Sequence, residues 1–336
     1  MTFLALGFPY LAGSLILFII IWFFIKKKVA VFLLLLFLGG YKNLFATFAL
    51  NFSAQKDEVA KAPGTLRILT WNVRNFDNPS TYADTPKSIR RQMFDYIRNS
   101  EADVLCLQEF TEHIANGALS NTTELVDLGY IYYYKTNETI LAVNYGTFLS
   151  GTAIFSKVPL IDSGKTLLGD SSYPEHIAYV DLVIHNKRMR LFSAHFKSLS
   201  LFVDKSYPGT LTPFHNDTNF IRRSDRFEKL KVFDQDHARE ALIAKAELNK
   251  SPYAVVFTAD MNSVPTSYAY HFMSSGLKDV FVSKGWGLGT TMGNLPKTLR
   301  IDLLLVDKKL SITGYHKEEL HLSDHFPQMV DLQWSK

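Results

Sequence analysis

The chain of 336 residues contains a single cysteine, so no internal disulfide can brace the fold. Cys106 stands inside the apolar run DVLCLQ and reads as a buried neutral thiol, not a reactive nucleophile. Internal repeats and low-complexity tracts are lacking, which excludes solenoid and fibrous architectures. No Cys/His cluster has zinc spacing, no Gly-rich loop has the Walker form, and no G-x-S-x-G elbow occurs. Structural zinc, P-loop chemistry and the α/β-hydrolase serine nucleophile are thereby set aside. Most of the chain also lacks charge of one sign. Residues 1–61 carry six lysines against Asp57 and Glu58, which accounts for the whole formal charge of +4. The neutral remainder argues against a grip on long nucleic acid, where phosphate neutralisation supplies much of the affinity.

What is present begins with a long apolar run. Residues 2–25 contain no charge, and at about 1.5 Å rise per residue they cover a bilayer core of about 30 Å. A signal peptide needs a basic start and a shorter apolar core, so a transmembrane helix is predicted. A second apolar stretch, 29–50, is interrupted only by Lys42. A central lysine costs about 2.5–3.5 kcal/mol, and each Leu, Ile, Phe or Val returns about 0.3–0.6 kcal/mol, so the sum favours insertion. Lys42 lies off centre and can snorkel. Residues 1–50 are therefore expected to form a two-helix membrane anchor, with a re-entrant second segment as the alternative. The turn Lys26–Lys28 between them stays cytoplasmic, which places both chain ends on the extracytoplasmic side. Residues 51–65 read as a polar linker and 66–336 as the catalytic domain.

In that domain short β-rich runs alternate with few helices. Strands are expected over 67–73, 103–110, 129–136, 151–160, 177–184, 188–196, 253–260, 299–307 and 327–334, and helices over 85–100 and 234–250. The count predicts an α+β layered sandwich and not a doubly wound sheet. The connection 199–233 follows His195 and reads either as a substrate-facing lid or as a mobile surface insertion.

Polar residues stand where apolar runs end: Asn72, Glu109, His195, Asp260 and Asn262, with Asp302 inside LRIDLLL and Asp324 and His325 in LSDHFPQ. Each has a plain alternative, such as a turn, a cap or a satisfied structural histidine. Gathered at one sheet edge, the carboxylates and amide oxygens would hold Mg²⁺ or Mn²⁺, which prefer oxygen ligands.

The ordered set TWN, CLQE, SAHFKS, ADMN, RID and SDHFP, spread over 66–333, resembles the endonuclease/exonuclease/phosphatase family of metal-dependent phosphodiesterases. The resemblance implies a four-layered α/β sandwich, two packed sheets flanked by helices, with the site at one end. It also implies Glu109 as principal metal ligand with Asn72 and Asp324 beside it. Asp260 would orient or deprotonate water, and Asn262 and His195 would bind phosphate. Asp302 would hold His325, which stabilises developing charge. The sequence departs from the family pattern in two places. The usual Gly-Asp-Phe-Asn appears as ADMN, and FLSGTAIFS offers Leu149 and Ser150 where abasic-site enzymes carry a Tyr, which argues against DNA repair. The expected activity is that of a membrane-anchored phosphoesterase on a lipid-like or small soluble phosphoester. An extracytoplasmic nuclease is the runner-up, and a silent binding protein on the same fold is the reading from another class. No obligate protein partner is implied.

Overall fold

The computed structural model describes residues 2–52, 60–77, 88–114, 120–143, 146–169, 174–198, 224–293 and 297–335. A two-stranded pair joins β1 (Ala49–Leu50) to β12 (Trp286–Gly287). The first large sheet has seven strands: β2 (Leu66–Asn72), β3 (Val104–His113), β4 (Tyr132–Lys135), β5 (Thr139–Val143), β6 (Gly146–Ser156), β14 (Leu310–Lys317) and β15 (Gln328–Trp334). Their order is β14-β15-β2-β3-β6-β4, with β5 also pairing β6. The second has six: β7 (Leu160–Leu167), β8 (His176–Ile184), β9 (Lys187–His195), β10 (Ala254–Asp260), β11 (Lys278–Asp279) and β13 (Asp302–Val306), in the order β11-β13-β10-β9-β8-β7.

Side chains along a strand alternate faces, and here both faces are apolar. Ile68, Val104, Cys106 and Ile154 of the first sheet meet Val180, Leu191, Val256 and Leu304 of the second between the sheets. The intervening residues Leu69, Trp71, Leu105 and Leu107 face outward onto Met93, Phe94 and Ile97 of the helix Ile89–Asn99. On the opposite side Phe192, Phe257, Leu303 and Leu305 pack on Ala241, Ala244 and Leu248 of the helix Ser224–Lys250. The result is the expected four-layered sandwich. Cys106 is fully buried between the sheets, and burial pushes its thiol up to about 12.

Several boundaries differ from the sequence reading. The helix Ser224–Lys250 begins ten residues earlier than the predicted 234, so the second part of the 199–233 connection is helix. Residues 199–223 lie outside the described residues. Besides β5 and the two-residue strands β1, β11 and β12, two longer strands were not predicted: β7, whose LIDSGKTL is mostly polar, and β14, which carries Gly314 at a register shift. The helix over 85–100 starts at Ile89, where the Ser88 hydroxyl accepts from the Arg91 amide at 3.2 Å.

Among the described residues one helix, Leu4–Ile25, is long and apolar enough to cross a membrane. The second apolar segment is not one straight helix. Lys27–Gly39 and Tyr41–Thr47 meet at a 62° bend, because the Gly39–Gly40 pair holds helical backbone weakly. The later piece is fastened to the domain. Ala46 joins the core beside Phe257, and its carbonyl accepts from Arg300 Nη2 at 2.9 Å.

Arg67 and Asp331 face each other across β2 and β15 and pair in a fork at 2.7 and 2.8 Å, both buried. Removing one partner strands a buried charge. Asp331→Ala should lower unfolding free energy by about 3–5 kcal/mol in urea titrations, and the double variant Arg67→Met/Asp331→Leu should recover most of that loss.

Candidate active site

Strand register builds the site. β9 and β10 run parallel with Asp260 opposite His195, and β13 runs antiparallel with Asp302 opposite Asp260. His195, Asp260 and Asp302 therefore form one row across the second sheet. In the first sheet β2 and β3 run parallel with Asn72 opposite Gln108. Glu109 follows, at a bulge between Leu107 and Phe110, with a positive φ of 50°. A bulge bends its strand and re-aims a side chain. Asn262, just past β10, also takes a positive φ, 47°, a conformation that amide side chains tolerate best. Its backbone amide donates to Asp260 Oδ1 at 3.0 Å, and its Nδ2 donates to the Phe196 carbonyl at 3.0 Å.

The two rows meet at Asn72. Its Nδ2 donates to Glu109 Oε1 and to Asp260 Oδ2, each at 3.0 Å, while its Oδ1 accepts from the Arg74 amide. His195 Nε2 lies 3.8 Å from Glu109 and 3.7 Å from Asp260. His325 Nε2 lies 3.5 Å from Asp260 Oδ2, and its Nδ1 is held by Asp302 at 3.0 and 3.1 Å. The loop bearing His325 is pinned by Trp71, whose indole donates to the His325 carbonyl at 2.9 Å. Asp324 is the outlier. It is engaged with Ser323 at 3.3 Å and Arg74 at 3.9 Å, and not with Glu109 or Asp260.

Electrostatics follow from this packing. Burial alone would lower the His195 imidazole, but Glu175, Asp260 and Glu109 hold it well above its ordinary value. His325 is likewise disfavoured as a cation by burial, yet Asp302 and Asp260 lift it to about 10. Burial raises the Asp302 carboxyl against the pull of His325. The Asp302–His325 pair thus keeps its proton through neutral pH. Ligand atoms of Asp260, Asp302 and His325 lie within 4.8 Å of one another, a spacing that could hold a metal ion.

A sequence profile of the Endonuclease/Exonuclease/phosphatase family matches residues 69–325. The chain belongs to that family. Its fold is shared by an endonuclease/exonuclease/phosphatase from Beutenbergia cavernae, at 16% identity over 81% of this chain and 72% of that one, TM-score 0.56. The human Nocturnin catalytic domain with bound sulfate matches at 15% identity over 81% and 94%, TM-score 0.56. A Bacteroides thetaiotaomicron mannosyl-6-phosphatase matches at 16% identity over 80% and 100%, TM-score 0.54. These identities speak for the fold alone. A search of curated protein sequences finds no match.

Around this endonuclease/exonuclease/phosphatase site the structure adds residues that sequence reasoning missed. Glu175 Oε2 sits 3.2 Å from His195 Nδ1, so each of the two imidazoles has a carboxylate behind it. Glu175 lies in no motif, and nothing in the sequence marks it. His237, on the helix Ser224–Lys250, bridges the loops after His195 and Asn262. Its Nε2 is 2.7 Å from the Lys197 carbonyl, and its Nδ1 is 2.6 Å from Ser263 Oγ. A carbonyl can only accept, so Nε2 carries the hydrogen and Nδ1 accepts from the hydroxyl. Burial pulls this imidazole down to about 4, which keeps it neutral. A histidine on the buried stripe of an amphipathic helix, between Phe233 and Ala241, was the available signal.

Glu240 completes this support, accepting from the Lys197 amide at 3.3 and 3.4 Å, and burial pushes its carboxyl up from 4.5 to about 8. A carboxyl raised in the native state contributes stability that is complete below its unfolded value and is lost as pH climbs through its native one. Wild type and Glu240→Gln should melt alike near pH 4.5, and the variant should be the more stable at pH 8.5, measured by calorimetry across the range.

Proposed function

We propose that the chain is a membrane-anchored phosphoester hydrolase that requires Mg²⁺ or Mn²⁺ and acts on a lipid-like or small soluble phosphoester. The observation that carries this reading is the convergence of Glu109, Asp260 and two carboxylate-backed imidazoles on one edge of the sandwich. Placement of the domain on the extracytoplasmic side is supported by the Lys26–Lys28 turn at the tip of the helical hairpin.

The donor set fits a hard divalent cation. Glu109 and Asp260 bring two carboxylates to one Asn72 amide, and both offer oxygen. Glu109 would hold the ion, with Asn72 and Asp324 next to it. When bound, such an ion offsets charge on the phosphoryl oxygens. Asp260 takes the proton of the attacking water, and Asn262 orients that water or a phosphoryl oxygen. Protonated His195, held by Glu175, binds a phosphoryl oxygen. His325, fixed by Asp302, donates to the oxygen on which negative charge builds. The water oxygen bonds to phosphorus, the P–O bond to the leaving group breaks, and the leaving oxygen receives a proton.

Purified full chain in nanodiscs should cleave bis-p-nitrophenyl phosphate with Mg²⁺ or Mn²⁺ and stop when EDTA is added. Asp260→Ala should lower kcat by about 10²–10⁴. Wild-type protein that stays inert with either ion on phospholipid, nucleotide and plasmid DNA would instead mark a silent binding protein.

A further inference from the structure

The amino-terminal helix does more than trail from the domain. Ala5 and Leu6 pack against the cluster Val264, Leu299 and Ile301, on which Met292 also packs. Thr266 Oγ1 donates to the Ala5 carbonyl at 2.9 Å. These contacts fall on the loops that carry the chemistry. Val264 is two residues past Asn262, Ile301 precedes Asp302, and Met292 bridges His325. The other end of the hairpin is fastened as firmly. Asn43 Oδ1 meets His271 Nε2 at 2.7 Å, Arg300 holds the Ala46 carbonyl, and Asn51 Nδ2 donates to the carbonyls of Val282 and Gly285 at 3.0 and 2.8 Å.

Length then decides where the membrane lies. The returning helix Lys27–Gly39 has 13 residues, about 20 Å at helical rise, so the free part of the hairpin is about that long. A bilayer core is about 30 Å thick. For Lys26–Lys28 to reach the far headgroups, the near headgroup layer must cover the docked first turns of the amino-terminal helix. Those turns touch the catalytic loops. Exposed apolar side chains flank both attachment points: Tyr268 beside Thr266, and Leu50, Phe52 and Trp286 beside the docked Tyr41–Thr47. Tyr and Trp favour the membrane–water boundary.

We infer that the docked hairpin seats the catalytic edge in the headgroup layer, so that the bond hydrolysed belongs to a phosphoester presented by the bilayer itself. The substrate half of this inference rests on the hydrolase reading above. The seating half does not. Water attacks the phosphorus of such a molecule, its P–O bond breaks, and the proton passes to the released alcohol or headgroup oxygen.

Cys106 is buried, so introduced cysteines can be labelled singly. The full chain carrying Tyr268→Cys or Ile131→Cys is spin-labelled and placed in phosphatidylcholine–phosphatidylglycerol nanodiscs. Ile131 precedes β4 at the end of the sandwich away from the site. The label at 268 should show contact with lipid-borne relaxation agents and the label at 131 only with aqueous ones; equal aqueous exposure of both overturns the seating. Activity is read on hexadecyl p-nitrophenyl phosphate against ethyl p-nitrophenyl phosphate in the same nanodiscs. The long-chain ester should be favoured by about tenfold or more in kcat/KM, since enzyme and substrate share one surface. Leu6→Asp, which unseats the first turns while the rest of the hairpin stays in the bilayer, should erode that preference. Equal rates on the two esters, or a preference untouched by Leu6→Asp, overturn the substrate assignment. If no ester is cleaved, bis-p-nitrophenyl phosphate included, the hydrolase reading fails, and the label depths still judge the seating.

Discussion

One amide holds the two halves of this site together. Asn72 Nδ2 donates to a carboxylate from each sheet, Glu109 and Asp260. Without a donor between them, those like charges would repel across the gap, and the sheets would have reason to splay at this end. The amide is fixed in turn by the Arg74 amide on its oxygen side and by its own strand, whose residues are all buried. Just beneath, Gln108 reaches across the layers to Ser193 at 3.1 Å and to Thr70 at 3.3 Å. The inter-sheet interior is apolar for most of its depth and turns polar only here. That gradient lets charged groups gather at one end without spoiling the core.

Around Asn72 the site has an approximate balance. On either side of Asp260 stands an imidazole with its own carboxylate: His195 with Glu175, and His325 with Asp302. Carboxylates behind imidazoles fix ring orientation and favour the charged form. A centre built this way sets two positioned imidazoles beside the Glu109 and Asp260 carboxylates. In the proposed hydrolysis both would face a phosphoryl group, which carries charge on several oxygens at once.

The fold and the centre were largely legible in the sequence because strand ends make a sharp signal. A single apolar run that stops at Asn, Glu, His or Asp could end in a turn or a cap. Six such segments in order point to one shared polar edge. The register that aligns Asp260 with both His195 and Asp302 was not legible, since pairing is decided in three dimensions. The supporting residues were harder still. Glu175 enters the site from the residue just before β8, where neither spacing nor composition distinguishes it. His237 does its work from a helix face, where the same residue usually means core packing. β7 escaped because an edge strand with one solvated side reads as a loop. The bend at Gly40 escaped because hydropathy sums apolar area and is blind to where a helix breaks.

The pairing of β1 with β12 bears on how the protein is made. Asn51 reaches carbonyls more than 230 residues further along the chain. During synthesis the apolar hairpin leaves the ribosome long before its docking partners exist. Ala46 and Asn51 must therefore wait, uncovered, until the carboxyl-terminal half of the sandwich has formed. The contacts of β1 and Ala46 therefore close late, once Trp286 and Arg300 are in place. A chain halted before residue 300 would lack the guanidinium that holds the Ala46 carbonyl, and the hairpin would keep a looser hold on the domain through His271, Val282 and Gly285.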